Sequence, residues 1–288
     1  MRLFFILCIG LFALVGCQDF GKLKIIASVP ASLEEISGIE QIPQSELIWA
    51  VSDSHNDATL FGFDAKSQSI KKVLNLHGIT NEDWEDLAAD TQANIYIGDF
   101  GNNKNKRKEL AIYKVPNVSE EKEKITVYTT TFTLEDQTEF PPKKKHRNFD
   151  VEGFIFYKNN FYLFTRNRSS KFDGTVKLYK LPATPGHHTA KVVSTYKTCD
   201  DKKHCQVTGA TINFNTGMVV LQGFSRVWVL QDYKGDNFFS GSIQEIDLGH
   251  HSQKESVCFK NDTTLYIADE QNGVLGGNVY ELTLNMKN

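Results

Sequence analysis

The sequence predicts an all-β protein, a five-bladed β-propeller with four strands in each blade. Three observations lead to this prediction: a composition that favours strands, a segment that recurs along the chain, and a last copy of that segment that lacks one strand. The 288 residues include 20 Phe and 10 Tyr, and aromatic residues are enriched in strands. The formal net charge of −3 is too small to indicate a nucleic acid or a membrane surface as the partner.

The recurring segment starts with a short run that passes from polar to apolar residues, and an aromatic-rich strand follows it. Such a repeat is typical of propellers and solenoids. The starts are "ISGIEQI" (36–42), "WEDLAAD" (84–90), "VEGFIFY" (151–157), "VTGATIN" (207–213) and "ESVCFKN" (255–261). The second strands are "LIWAVSD" (47–53), "NIYIGDF" (94–100), "FYLFTRN" (161–167), "GMVVLQG" (217–223) and "TLYIADE" (264–270). No Pro/Ser-rich linker separates the copies, so residues 18–288 are interpreted as one domain.

The last copy supplies the third argument. Each of the first four copies continues with two more strand-like runs, whereas the fifth has only "NVYELTL" (278–284). The segment "KLKIIASV" (22–29) near the N-terminus can provide the missing strand. A terminal strand that completes the last blade closes the ring and leaves no exposed sheet edge. A β-sandwich and a six-bladed ring with one unrecognised copy are the alternatives.

Residues 1–17 are typical of a bacterial lipoprotein signal peptide. Arg2 precedes an apolar run over residues 3–15 that is too short to span a bilayer. The run ends in "LVGC", which resembles the lipobox of bacterial lipoproteins and implies that Cys17 carries the lipid, including palmitate. The sequence therefore predicts a protein of the bacterial cell envelope that is anchored to a membrane by lipid. A plain signal peptide or anchor is the alternative.

Export to the envelope permits disulfide bonds. Cys199 and Cys205 flank the polar loop "CDDKKHC" and are predicted to pair. Cys258 lies in an apolar strand and is expected to be a buried thiol.

The acidic starts of the repeats predict a metal site. The first strand of each blade lines the central channel of a propeller, so equivalent residues form a ring. Aligning the starts places Ser37, Glu85, Glu152, Thr208 and Glu255 at one level. The residues two positions earlier point the same way and are Glu35, Asp83, Asp150, Gln206 and Gln253. Oxygen ligands without His or Cys favour a hard cation, and Ca²⁺ is favoured over Mg²⁺ because it accepts six to eight oxygens in irregular geometry. A channel that holds only protons and water is the alternative.

The order Ser, Glu, Glu, Thr, Glu resembles the soluble calcium-activated nucleotidases, or apyrases. The resemblance implies a five-bladed propeller whose central Ca²⁺ is held by Ser37, Glu85, Glu152, Thr208 and Glu255, with Thr208 in place of a serine. The segments "YIGDFG" and "FTRNRSS" are also similar to that family, whereas the loops between them differ. SdiA-regulated and phytase-like propellers share starts of the same type, so the motif is more specific for the fold than for the reaction.

The mouth of the channel is where chemistry is expected. First strands begin and second strands end on this face, which places Asp53, Asp99, Arg166, Gln222 and Asp269 around the mouth. Arg166 and Arg168 are the candidates for binding a phosphate, since guanidinium groups match phosphate oxygens. Asp53 or Asp99 is the candidate general base. Basic loops at 101–109 and 141–150 add positive charge, although each lysine there is also consistent with an ordinary solvated surface.

Two functions from different classes follow from this pattern. The first is a Ca²⁺-dependent hydrolase of phosphoanhydride or phosphoester bonds, a monomer that acts on an anionic small molecule. The second is a non-catalytic propeller with structural calcium that binds a glycan, a peptide or a partner protein. Fold alone does not distinguish them.

Overall fold

The computed structural model describes residues 18–120 and 125–285. The predicted signal peptide and the lipidation site at Cys17 lie outside the described residues. The described chain is all-β, with twenty strands and three short 3-10 turns. None of its helical segments is long and apolar enough to cross a membrane.

The strands form five groups of four, which we number as units 1 to 5. Strand β1 covers Lys24–Ser28 and belongs to unit 5. Unit 1 contains β2 (Ile36–Glu40), β3 (Ile48–Ser52), β4 (Thr59–Asp64) and β5 (Ser69–Asn75). Unit 2 contains β6 (Trp84–Ala89), β7 (Ile95–Asp99), β8 (Leu110–Val115) and β9 (Tyr128–Leu134). Unit 3 contains β10 (Asp150–Tyr157), β11 (Asn160–Arg166), β12 (Thr175–Pro182) and β13 (Gly186–Lys197). Unit 4 contains β14 (Gly209–Ile212), β15 (Val219–Gln222), β16 (Arg226–Gln231) and β17 (Ser242–Asp247). Unit 5 contains β18 (Lys254–Asn261), β19 (Thr264–Asp269), β20 (Asn278–Thr283) and β1.

Neighbouring strands within each unit are antiparallel. The second strands are buried on both faces, as in β3, whereas the outer strands are half exposed, as in β5. This difference explains why "IWAVS" is a continuous apolar run and "SIKKVLN" is mixed, because a strand buried on both faces needs no alternation. The N-terminal strand β1 pairs with β20 and completes unit 5.

Units 2 and 3 are joined into one eight-stranded sheet, which the sequence does not predict. Strand β13 is twelve residues long, and its first part, residues 186–190, runs parallel to β9. The sequence predicts a strand only over "KVVSTYK" (191–197), because "GHHTA" has neither the alternation nor the aromatic content of a strand. The other three sheets have four strands each.

Apolar clusters fill the spaces between successive units and close the ring. One cluster joins Trp49 of unit 1 to Ile97 of unit 2, and another joins Val279 of unit 5 back to Ile36 of unit 1. Three further clusters lie between units 2 and 3, 3 and 4, and 4 and 5. The first strands contact one another in the same cyclic order: β2, β6, β10, β14, β18 and β2 again. Burial of each large apolar side chain contributes about 1.5–3 kcal/mol, so these clusters supply the main stabilisation.

The structure joins Cys199 to Cys205 in a disulfide whose Cα atoms lie 5.6 Å apart. It closes the short loop before β14. Cys258 is a buried free thiol in β18, and burial raises its pKa, with a further contribution from the carboxyls of Glu40 and Asp86.

Candidate metal centre

The pairing register shifts by one residue near the start of β2, β6, β10 and β18. A β-bulge leaves one residue unpaired and re-aims its side chain. The residues at the four shifts are Ser37, Glu85, Glu152 and Glu255. In unit 4 the N–H of Thr208 donates to the carbonyl of Gln222 at 2.8 Å, and Gln222 also pairs with Gly209. The five residues predicted to form a ring therefore occupy equivalent places in their units.

Carboxylates converge where these strands begin, and we call the following six the acidic cluster: Asp53, Asp83, Glu85, Asp150, Glu152 and Glu255. Glu85 belongs to two groups of three, one with Asp53 and Asp83 and the other with Asp150 and Glu152. Within each group, one oxygen of every carboxylate lies within 4.8 Å of the others. The acidic cluster can hold a metal ion at either group.

The five residues two positions before the ring residues make two kinds of contact. Asp83 and Asp150 belong to the acidic cluster, whereas the side chains of the other three hydrogen-bond to neighbouring loops. These contacts are Asn56 Nδ2 to Glu35 Oε2 at 2.8 Å, Gln206 Nε2 to the Asn167 carbonyl at 3.1 Å and Gln253 Nε2 to Glu270 Oε2 at 2.9 Å.

The loop after β7 packs directly on the acidic cluster. A Cβ atom at Gly101 would lie 2.1 Å from Glu85 Oε1 and 2.3 Å from Asp83 Oδ2, so any other residue would require both carboxylates to move. The next residue, Asn102, donates its backbone N–H to Asp150 Oδ1 at 2.6 Å. This loop therefore fixes the positions of three of the six carboxylates.

The donors at the centre fit a hard cation. Carboxylate and hydroxyl oxygens surround it, and no His or Cys belongs to the acidic cluster. The Oγ of Ser37 is buried and has no hydrogen-bond partner among the described residues. Thr208 Oγ1 donates to the carbonyl of Lys254 at 2.6 Å, which leaves its lone pairs free. A buried hydroxyl without a partner is unfavourable, and a cation coordinated by Ser37 would satisfy it.

The sequence predicts that Arg166 and Arg168 lie free at an open mouth, but the structure shows both of them bonded to carboxylates. Arg166 Nη1 lies 2.9 Å from Glu152 Oε2 and 3.6 Å from Glu255 Oε2. Arg168 Nη2 lies 2.7 Å from Glu152 Oε1, and its Nε donates to Asp150. Both guanidinium groups are therefore already bonded to the acidic cluster, because it is the strongest negative charge within their reach. Truncation of either arginine is therefore expected to lower stability as well, because it leaves a buried carboxylate with one fewer partner.

Burial and mutual repulsion raise the pKa of several of these carboxyls in the absence of a metal. Burial, followed by the charge of Asp53, raises the pKa of Asp83 to about 7. Burial and the charge of Glu152 raise the pKa of Asp150 to about 8. The pKa of Glu85 is raised well above its usual value, again by burial first. Glu152 differs, because Arg166 and Arg168 outweigh its burial and hold its pKa below the usual value.

We expect the metal-free protein to lose stability as the pH rises from about 5 to about 8. The unfolded carboxyls titrate near pH 4, whereas Asp83 and Asp150 titrate at about 7 and about 8 in the folded protein. The folded state therefore binds more protons than the unfolded state over this interval. Its stability relative to the unfolded state declines as the pH rises and these protons dissociate. Thermal melting in chelator should show a fall of roughly 5 °C or more. A melting temperature that stays level or rises over this interval would contradict the stated environment of the acidic cluster.

Asp99 is not available as a general base. Its side chain is 1% exposed; Oδ1 accepts from Arg107 Nη2 at 2.8 Å and Oδ2 from the hydroxyl of Tyr113 at 3.2 Å. Asp99 pairs with Trp84 across the strands, whereas Asp53 lies one residue beyond the paired Ser52. This offset of one residue turns the two side chains to different faces, and only Asp53 reaches the acidic cluster.

Two other residues expected at the mouth are also buried. The hydroxyl of Tyr280 donates to Asp269 Oδ2 at 2.8 Å, which repeats the contact between Tyr113 and Asp99 in unit 2. Gln222 is fully buried, and its side chain donates to the carbonyl of Gly223. Neither side chain hydrogen-bonds to a carboxylate of the acidic cluster within the described residues.

Asp86 is not among the residues predicted from the sequence; it lies one residue after Glu85 and ties three units together. Asp86 Oδ2 accepts from the N–H of Phe154 at 3.0 Å and of Ala210 at 3.2 Å, and Oδ1 accepts from the N–H of Leu87 at 2.8 Å. These N–H groups belong to β10, β14 and β6. In the sequence, Asp86 stands at the position where units 1, 3 and 4 have glycine, and this difference is the sign from which its role could have been predicted.

No protein-family model and no curated protein sequence matches the chain. Among solved structures, the PQQ-bound aldose sugar dehydrogenase from Streptomyces coelicolor is 13% identical, with 91% of this chain and 98% of that chain covered and a TM-score of 0.52. The fold is a β-propeller. The gluconolactonase XC5397 from Xanthomonas campestris is 10% identical over 84% of this chain and 70% of that chain, with a TM-score of 0.45. The structure of a nidogen/laminin complex matches at 12% identity over 81% and 72% of the two chains, with a TM-score of 0.46. At 13% identity, the match to the sugar dehydrogenase shows the fold alone, and the activity has to be argued from the site itself.

Proposed function

We propose that this propeller has five blades and binds one Ca²⁺ at the mouth of its channel, through Ser37, Glu85, Glu152, Thr208 and Glu255. The five units, with an apolar cluster between each neighbouring pair, support the blade count. The observation that carries the calcium site is the acidic cluster, in which Glu85 is shared by two groups of carboxylates.

Charge supports a cation at this place. The acidic cluster has six carboxylates, and the arginines bonded to it are Arg166 and Arg168. Two carboxylates 4.8 Å apart repel each other by about 3 kcal/mol at an effective dielectric constant near 20. Binding of a divalent cation relieves several such repulsions at once. Calcium is favoured over magnesium because it accepts six to eight oxygens in irregular geometry.

We further propose that the mouth receives a phosphate-bearing small molecule and hydrolyses it. A bound calcium ion would polarise a phosphoryl oxygen. Asp53 is half-buried at the rim and makes no ion pair with a lysine or arginine in the described parts of the chain. Its carboxylate would accept a proton from the attacking water, the role of a general base.

The second candidate is a non-catalytic propeller with structural calcium. The contacts of Arg166 and Arg168 with Glu152 favour it, because guanidinium groups bonded to carboxylates have fewer donors left for a phosphate. A glycan, a peptide or a partner protein would then bind at the mouth.

Phosphate release from a panel of nucleotides and phosphoesters, measured with Ca²⁺ and with chelator, tests the proposed reaction. We expect release that requires Ca²⁺ and falls at least about a hundredfold in Asp53→Asn, as is common when a general base is removed. Exposed Asp200→Asn is the matched control and should retain full activity. Ca²⁺-dependent binding without turnover of any compound would favour the non-catalytic function.

The location of the protein in the bacterial envelope is part of the same proposal. It rests on the apolar run and the cysteine in residues 1–17. A Cys17→Ser protein should leave the membrane fraction or remain unprocessed, and an unchanged membrane fraction would contradict a lipid anchor.

A further inference from the structure

A cleft of about 310 Å³ lies at the end of the channel opposite the acidic cluster. The first strands begin at the acidic cluster, and β2, β14 and β18 end at Glu40, Ile212 and Asn261, all of which line this cleft. Its volume is at the lower end of the range for small-molecule sites, about 300–1,000 Å³. The cleft therefore has room for a small ligand that enters from the face opposite the proposed calcium site.

Apolar side chains form one part of the lining. Phe214 is 42% exposed and is the one phenylalanine among the exposed large apolar side chains of residues 18–120 and 125–285. Phe259 is half-buried and lines the same cleft, together with Ile42, Pro43 and Ile212. An aromatic ring has few rotatable bonds, so it provides a flat apolar surface with little loss of side-chain entropy on binding.

Polar side chains from two units are joined at the rim of the cleft. Asn213 Nδ2 and Asn215 Nδ2 both donate to Asp262 Oδ1, at 3.1 and 2.9 Å, which links the turn after β14 to the turn after β18. Asn213 Oδ1 accepts from the N–H groups of Asn215 and Thr216, at 2.9 and 3.0 Å. The two turns are therefore in position before a ligand binds, and this reduces the entropy lost on binding.

Several polar atoms of the lining make no hydrogen bond within the described residues. They are Asn215 Oδ1, Asn261 Nδ2, Asp262 Oδ2 and the side-chain amide of Gln44. This set contains both donors and acceptors. A ligand with neighbouring hydroxyl groups matches it, because each hydroxyl can donate and accept.

The cleft has little uncompensated charge. Lys260 forms an ion pair with Glu281, and Asp262 shares its charge with two amide groups. Burial raises the pKa of Glu40 to about 8, so most of this carboxyl is protonated at neutral pH. The lining therefore suits a neutral polar ligand, in contrast to the acidic cluster at the other end of the channel.

We propose that this cleft binds a neutral saccharide, with an apolar face of the sugar against Phe214 and its hydroxyl groups bonded to the polar rim. Aromatic side chains have a large apolar face for such contacts, and amide and carboxylate groups can bond to two neighbouring hydroxyls at once. The site is separate from the mouth, so it does not require the calcium ion and exists whether or not the mouth is catalytic.

Titration of the protein with maltose, cellobiose and lactose, followed by protein NMR signals, tests the proposal. Phe214→Ala should raise the Kd of the tightest of the three at least about tenfold, because an aromatic side chain at the centre of a contact supplies much of its energy. Phe214→Trp retains an aromatic face and should bind with a Kd within about threefold of that of the unchanged protein. Addition of chelator should leave the Kd within about twofold.

Tyr128→Ala is the matched control, since it removes an aromatic ring that is 47% exposed and lies outside this lining. It should leave the Kd within about twofold. The proposal is overturned if none of the three disaccharides binds, or if Phe214→Ala and Tyr128→Ala behave alike. Loss of binding in chelator overturns it as well and would place the saccharide at the mouth. Tighter binding of glucosamine or glucuronate than of glucose would contradict a neutral ligand.

Discussion

Glu152→Gln and Glu85→Gln should both weaken Ca²⁺ binding, by roughly a hundredfold or more each, but only Glu152→Gln should destabilise the metal-free protein. Glu152 is bonded to both Arg166 and Arg168, so its loss breaks two buried ion pairs at once, and breaking a buried pair costs about 3–5 kcal/mol. Glu85 has no arginine or lysine partner among the described residues, and its pKa is raised by burial and by neighbouring carboxylates. Because this carboxyl holds its proton near neutral pH and its replacement breaks no ion pair, metal-free Glu85→Gln should melt at the same temperature as the unchanged protein or higher.

Chemical denaturation in chelator and calcium titration together measure both effects. Glu46→Gln is the control, because it removes a carboxylate whose partner Lys66 is exposed, and surface ion pairs contribute about 1 kcal/mol or less. If Glu85→Gln destabilises the metal-free protein as much as Glu152→Gln does, the two carboxylates are in similar environments and the charge distribution described for the centre is wrong.

Asp86→Ala should be the most destabilising change in the channel outside the ring, with a loss of roughly 2–6 kcal/mol in the free energy of unfolding. The carboxylate accepts from the N–H groups of Phe154 and Ala210, on two other units. A buried donor left without a partner costs about 1–3 kcal/mol, and alanine leaves both donors unsatisfied. Asp86→Asn retains one acceptor oxygen and should lie between alanine and the unchanged protein.

Urea denaturation of the three proteins measures this order. Asp200→Ala, at an exposed position in the disulfide loop, serves as the control and should change the free energy of unfolding by no more than about 0.5 kcal/mol. A loss for Asp86→Ala as small as that of the control would show that the carboxylate does not tie the units together.

The repeat made most of the fold predictable. Glu85, Glu152 and Glu255 stand at the same place in similar segments, and the missing strand of the last copy is supplied by β1. The pairing of β13 with β9 could not be predicted, because residues 186–190 carry no strand pattern and their edge position depends on how two units meet.

The candidate site was predictable only in part, because the register of a strand depends on how it pairs with its neighbour and cannot be read from its own residues. The segments "VSD" and "IGD" look equivalent in the sequence, yet Asp53 lies beyond the last paired residue and Asp99 lies within the pairing. An offset of one residue turns a side chain to the other face of the sheet, and the sequence of one protein does not reveal this offset. The arginine contacts were missed for a related reason: "FTRNRSS" shows two cations, but not that Glu152 lies beside both of them.

Calcium titration of the chelator-stripped protein by calorimetry, with thermal melting in parallel, tests the central claim most directly. We expect one Ca²⁺ bound per chain, and at a free concentration one hundred times the Kd a rise in melting temperature of about 5–10 °C. Mg²⁺ at the same concentration should give a smaller rise. No heat of binding and an unchanged melting temperature with Ca²⁺ would contradict the proposed metal centre.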